Sequence, residues 1–128
     1  MAEWVLDASA ILAYLRKEPG RETVAPLLPD SAVSANSLAE VSSRLFDHGL
    51  SADDVRALIE RLSLKVFAVD EAMAFDIGAL RPLTRAKGLS LGDRSCLALA
   101  RTLGLPAFTA DRAWTELTLD GLDIRLIR

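Results

Sequence analysis

The sequence predicts a single α/β domain, residues 1–128, in which a central, mainly parallel β-sheet is flanked by α-helices. Short β-prone runs alternate with helical stretches along the whole chain, the order that right-handed crossovers between parallel strands require. Hydrophobic residues make up 51% of the 128, enough to close one core and cover both faces of such a sheet. Acidic residues directly follow two of the strand runs, where open parallel sheets place their functional crevice.

Trp4-Val5-Leu6 is the first strand and runs into Asp7, after which Ile11, Leu12 and Leu15 mark a helix. Lys17-Glu18-Pro19-Gly20 interrupts it, a short second helix is expected over Glu22 to Leu28, and Ala32-Val33-Ser34 reads as a strand. Leu38, Val41 and Leu45 belong to a helix that Gly49 should end. Ser51-Ala-Asp-Asp54 opens the next helix as a capping box, with Val55, Leu58, Ile59 and Leu62 on one stripe. Lys65 to Val69 is a strand, and Asp70 caps a long helix that Pro82 must interrupt, leaving a kinked arm that Gly88 closes. Leu91 to Leu103 is a strongly apolar helix, Pro106 to Thr109 a strand, Arg112 to Leu117 a helix, and Ile124 to Ile127 the last strand.

Composition narrows the function classes. A formal charge of −3 argues against a protein that coats nucleic acid nonspecifically, because that binding grows with the phosphates neutralised. Any nucleic-acid contact must be local. No run approaches the roughly 18 apolar residues of a membrane helix, and Met-Ala-Glu-Trp lacks the positive flank of a signal peptide, so a cytoplasmic location is expected. The single cysteine, Cys96, excludes an internal disulfide and a cysteine-based zinc site, and reads as a small buried hydrophobe. His48 precedes Gly49 at a helix end, where it reads as a cap for carbonyls rather than a metal ligand.

Four acids remain: Asp7, Glu40, Asp93 and Asp111. Each has a plain structural reading. Asp7 and Asp111 suit helix N-caps, and Ser37-Leu-Ala-Glu40 and Ser90-Leu-Gly-Asp93 fit the capping-box pattern. Their apolar setting points further. Asp7 is flanked by Leu6, Ala8, Ala10, Ile11 and Leu12, and Asp93 precedes Cys96-Leu-Ala-Leu-Ala100. Carboxylates converging beside a hydrophobic core need protonation, a basic partner or a bound cation. An all-oxygen donor set of this kind suits Mg²⁺, with Mn²⁺ as the alternative.

Taken together, Val5-Leu-Asp7-Ala-Ser9, Glu40, Gly88-Leu-Ser-Leu-Gly-Asp93-Arg-Ser-Cys-Leu-Ala-Leu-Ala100 and Phe108-Thr-Ala-Asp111 resemble the PIN-domain ribonucleases. The similarity spans essentially the whole chain and looks most like VapC, the toxin half of VapBC toxin–antitoxin pairs. It implies that Asp7, Glu40 and Asp93 are the principal metal-site and catalytic acids, with Asp111 as a more variable fourth. It further implies hydrolysis of single-stranded RNA leaving a 5′-phosphate and a 3′-hydroxyl, a cognate antitoxin protein, homodimerisation, and DNA contact only through the antitoxin complex.

Ser9 and Thr109 match positions where the family commonly has a hydroxyl, and with Arg94 and Arg112, which follow two of the acids, they are substrate-contact candidates. Arg16 and Lys17, at the end of the first helix, are further phosphate-contact candidates. Aromatics are only 5% of the chain, which disfavours extensive base stacking; packing in the core is the expected use of Trp4 and Trp114. Two rivals stand beside the nuclease. An aspartyl-phosphate phosphohydrolase wants a second acid two positions after the first, where this chain has Ser9. A PIN-like binding module with weak catalysis, acting through its partner surface, would not need intact acids.

Overall fold

The computed structural model describes all residues, Met1–Arg128. Five strands form one sheet: β1 (Trp4–Leu6), β2 (Ser31–Ser34), β3 (Lys65–Phe67), β4 (Ala107–Thr109) and β5 (Ile124–Leu126), in the order β3-β2-β1-β4-β5. Every pairing is parallel, with Val5 opposite both Ala32 and Ala107. The chain winds outward from β1 to β3, then crosses back to β4, so the strand order reverses between β1 and β4. That switch point is where a crevice opens beyond the carboxyl ends of the strands.

The helices are α1 (Ala8–Leu15), α2 (Arg21–Val24), α3 (Ala35–Asp47), α4 (Ala52–Glu60), α5 (Glu71–Ala79), α6 (Arg81–Thr84) and α7 (Leu91–Leu103). Side chains alternate across the pleat, so each central strand feeds two cores. Leu6, Val33 and Phe108 join Ile11, Val41, Leu45 and Val55 on one face of the sheet, under α1, α3 and α4. Val5, Ala32 and Ala107 join Ile77, Leu80, Leu97 and Trp114 on the other, under α5 and α7. Burial of each large side chain contributes roughly 1.5–3 kcal/mol. Trp114 and Cys96 are fully buried, and half-buried Trp4 packs edge-on against Phe108 with ring centroids 6.0 Å apart. No helix is long and apolar enough to cross a membrane.

Several local expectations are refined. The stretch expected as one short helix over Glu22 to Leu28 divides into α2 and a 3-10 turn, Ala25–Asp30, because Pro26 and Pro29 withdraw two amide donors. Pro82 lies in the first turn of a new helix, so the expected arm breaks at Leu80 into α5 and α6. Arg112–Glu116 forms a 3-10 turn rather than an α-helix. Of the expected box at Ser51, only one half forms: Ser51 Oγ accepts from Asp54 N at 3.2 Å. The backbone amide of His48, not its imidazole, closes α3, and Gly49 follows at φ 85°, a conformation glycine adopts without strain.

Candidate active site

Asp7 stands at the end of β1 and caps α1, its Oδ1 accepting from Ala10 N at 2.8 Å. Its side chain is only 2% exposed, because the small residues Ala8, Ala10 and Ala13 let α1 pack tightly over the sheet. Two hydroxyls complete its shell. Ser9 Oγ lies 2.7 and 2.9 Å from the two carboxylate oxygens, and Thr109 Oγ1 donates to Oδ2 at 2.5 Å. Each hydroxyl also accepts from the chain just after β4: Ser9 Oγ, across from it, from Ala110 N at 2.9 Å, and Thr109 Oγ1 locally from Asp111 N at 3.0 Å. The carboxyl ends of β1 and β4 are thus stitched together through the Asp7 carboxylate.

Burial pushes the Asp7 carboxyl up from 3.8 to about 6, against the pull of Thr109, Ala10 and Ser9, with the charge of Asp93 adding to the rise. Glu40, half-buried on α3, is also raised, first by burial and then by Asp93, with Arg44 one turn away opposing the shift. Asp93 is therefore the charge common to both. Its position is set by a complete capping box: Ser90 N donates to Asp93 Oδ2 at 2.9 Å, and Ser90 Oγ accepts from Asp93 N at 3.1 Å. Ser90 Oγ also lies 3.5 Å from Glu40 Oε1, joining α3 to the start of α7. The other box expected from sequence does not exist. Ser34, not Ser37, caps α3, and Ser37 lies within the helix, hydrogen-bonded to Gly92 O at 3.3 Å.

Asp93 thus acts electrostatically on both Asp7 and Glu40, while Asp111 is exposed. Its carboxylate caps the 3-10 turn, accepting from Ala113 N at 3.0 Å. Among the cation candidates, Arg94 donates to Ile77 O at 3.1 Å and ties α5 to α7, and Arg16 faces Glu18 at 3.7 Å. Arg112 and Lys17 are exposed and form no ion pair. Ser9 and Thr109 spend their hydroxyl protons within the protein, on Asp7. Sequence reasoning missed the cross-helix part of Ser90 and the placement of Arg44 beside Glu40; the i to i+4 spacing on α3 was the available signal for the latter.

No basic side chain lies within ion-pairing distance of any of the four acids. An oxygen-only donor set in which burial, with Asp93 adding, raises Asp7 and Glu40, and in which no acid is ion-paired, fits a hard divalent cation. As the side chains stand, no three of them converge on one point within metal-ligating range. A groove of about 850 Å³ lies elsewhere, between α3, α4 and β3, and is lined by Leu38, Phe46, Val55, Ile59, Leu64 and Val66 among others.

A buried Asp7 at the switch point of a five-stranded parallel sheet, with the half-buried Asp93 coupled to it and to the half-buried Glu40, defines a class of α/β proteins with acidic side chains gathered beyond the end of β1. The family model of the PIN domain matches residues 4–118, and the chain belongs to the PIN-domain family. No curated protein matches it by sequence. Among solved structures it is similar to a chain of DNA-bound VapBC from Salmonella typhimurium, with a TM-score of 0.71 and 22% identity over 100% of both chains. It is similar also to a chain of VapBC2 from Rickettsia felis bound to a promoter DNA fragment, with a TM-score of 0.71 and 17% identity over 96% and 97% of the two chains. A toxin–antitoxin complex from Klebsiella pneumoniae gives a TM-score of 0.69 at 18% identity, over 95% of each chain. These likenesses establish a shared fold.

Proposed function

We propose that this chain is a Mg²⁺-dependent endoribonuclease acting in the cytoplasm as the toxin of a type II toxin–antitoxin pair. The observation that carries the reading is the buried Asp7 carboxylate, coupled to Asp93, which is coupled in turn to Glu40, with no basic side chain ion-paired to any of them. Asp7, Asp93 and Glu40 would hold the ion, with Mn²⁺ as a substitute and Asp111 reaching it from the rim. A divalent ion held there supplies Lewis-acid polarisation of a phosphodiester and a nucleophilic water at neutral pH. Ser9 and Thr109 hold the Asp7 carboxylate in one rotamer and favour its ionised form. Asp111, exposed and close to Thr109 through its own amide, would orient water or take up a proton. The exposed Arg44, one turn from Glu40, and Arg112, next to Asp111, would meet RNA phosphates.

The structural relatives are chains of toxin–antitoxin complexes, two of them with DNA. By analogy, this chain takes a cognate antitoxin, forms a homodimer and meets DNA through the antitoxin complex. The apolar groove between α3, α4 and β3 is the surface on which an antitoxin segment would dock. The test is cleavage of single-stranded RNA by purified, antitoxin-free protein. Activity should require Mg²⁺ or Mn²⁺, stop with chelator, and fall at least ~1,000-fold in Asp7→Asn and Asp93→Asn. Unchanged cleavage in both variants would overturn the assignment.

A further inference from the structure

Gly92 occupies the first turn of α7, next to Asp93, and is fully within the helix, where alanine would ordinarily be preferred. No unusual backbone angle calls for glycine here. Space does. A Cβ at this position would run into Glu40 Oε1, and its next neighbour, Glu40 Cδ, would be 3.1 Å away. Polar contacts lock the two helices at this close approach. Ser37 Oγ donates to Gly92 O at 3.3 Å, Asn36 Nδ2 donates to Ser95 Oγ at 2.9 Å, and Ser90 Oγ reaches Glu40 Oε1 at 3.5 Å.

We infer that Gly92 is a positioning residue: its missing side chain is the slot in which the Glu40 carboxylate lies against the start of α7, beside Asp93. The inference rests on the nuclease reading of the acidic site and assigns it one more determinant. Because the obstructing atoms belong to the end of a flexible side chain, an added methyl displaces the carboxylate and leaves the helices packed. Glycine at position 92 is therefore a requirement of the site more than of the fold.

The test compares wild type, Gly92→Ala, Glu40→Asp and the double variant, each as the full chain. Gly92→Ala should melt within about 3 °C of wild type, yet lose ~10–100-fold in kcat on RNA with KM changed less than about threefold. Calorimetry with Mn²⁺ alone, without RNA, should show affinity weakened at least ~5-fold. Aspartate is one methylene shorter and withdraws from the added methyl, so in the Glu40→Asp background Gly92→Ala should cost less than about twofold further. Wild-type kcat and Mn²⁺ affinity in Gly92→Ala, or losses that multiply in the double variant, overturn the positioning role. So does a melting temperature lowered by more than ~10 °C and not rescued by Glu40→Asp, which would assign Gly92 to helix packing. A wild type that binds Mn²⁺ but cleaves no RNA sinks the nuclease reading alone, and the Mn²⁺ affinities of the four proteins then decide the part played by Gly92. A crystal structure of Gly92→Ala with Glu40 still against Ser90 would refute it in either case.

Discussion

Asp7 and Asp111 end neighbouring strands, each preceding a helical turn that it caps, and the two differ in almost everything else. Asp7 ends the central strand, beneath a helix of small residues, and is 2% exposed with two hydroxyls and an amide on its carboxylate. Asp111 follows β4, one strand from the sheet edge, precedes a short 3-10 turn, and stands exposed with the cap to Ala113 N as the one hydrogen bond of its carboxylate. The same sequence grammar, an acid after a strand, thus yields a desolvated carboxylate with a raised proton affinity in one place and a solvated rim carboxylate in the other. Burial decides which acid stores electrostatic free energy that a bound cation can release.

The comparison breaks most readily at Asp7. Its carboxyl is raised from 3.8 to about 6, so the folded state holds this proton more tightly than the unfolded chain. Its contribution to stability is accordingly most favourable below pH 4 and is lost as pH rises to about 6, for a total on the order of 3 kcal/mol. Asp7→Asn removes that titration while its side-chain oxygen can still cap α1. In chelator, the melting temperature of Asp7→Asn relative to wild type should climb by about 5–8 °C between pH 4.5 and 7.5. A constant difference over that range would show that the wild-type carboxylate is not buried at a cost. RNA cleavage should be lost in the same variant.

Thr109→Val sharpens the comparison at intermediate size. Losing the 2.5 Å hydrogen bond to Asp7 raises the Asp7 carboxyl further. Cleavage at pH 7 should fall roughly tenfold and recover as pH approaches 9, because ionised Asp7 is the competent form. A pH–rate profile whose acidic limb does not move would remove Thr109 from the site. The smallest effect belongs to Asp111→Asn, whose amide oxygen can still accept from Ala113 N. Its melting temperature should stay within about 2 °C and its kcat/KM within ~10-fold of wild type, measured on the same RNA. A loss as large as that of Asp7→Asn would make the two acids equals.

Much of the architecture was legible along the chain. Alternating strand and helix runs implied a parallel sheet, and the period-two alternation of Val5 with Leu6 and of Ala107 with Phe108 distributes residues to two cores as that topology demands. Boundaries were less legible wherever proline intervened, since Pro26, Pro29 and Pro82 turn helical spacing into 3-10 turns or restarts. At the site, the acids stood out, but the partners of Asp7 did not. Ser9 and Thr109 were read as facing substrate, because spacing along a chain says nothing of a hydroxyl 102 positions away from Asp7 that shares its oxygens. Arg94 likewise looked like a phosphate contact by adjacency to Asp93 and is committed to a carbonyl of α5.

The sequence by itself determined the strand and helix succession, the acid at the end of each of two strands, and the capping box that places Asp93, because each depends on residues within one turn or one pleat of one another. Only the tertiary structure decided which carboxylates share a field, how deeply each is desolvated, and that α3 approaches α7 closely enough at Gly92 for Glu40 to meet Asp93. Desolvation and Coulomb coupling act through space across the sheet and between helices, where distance along the chain carries no information.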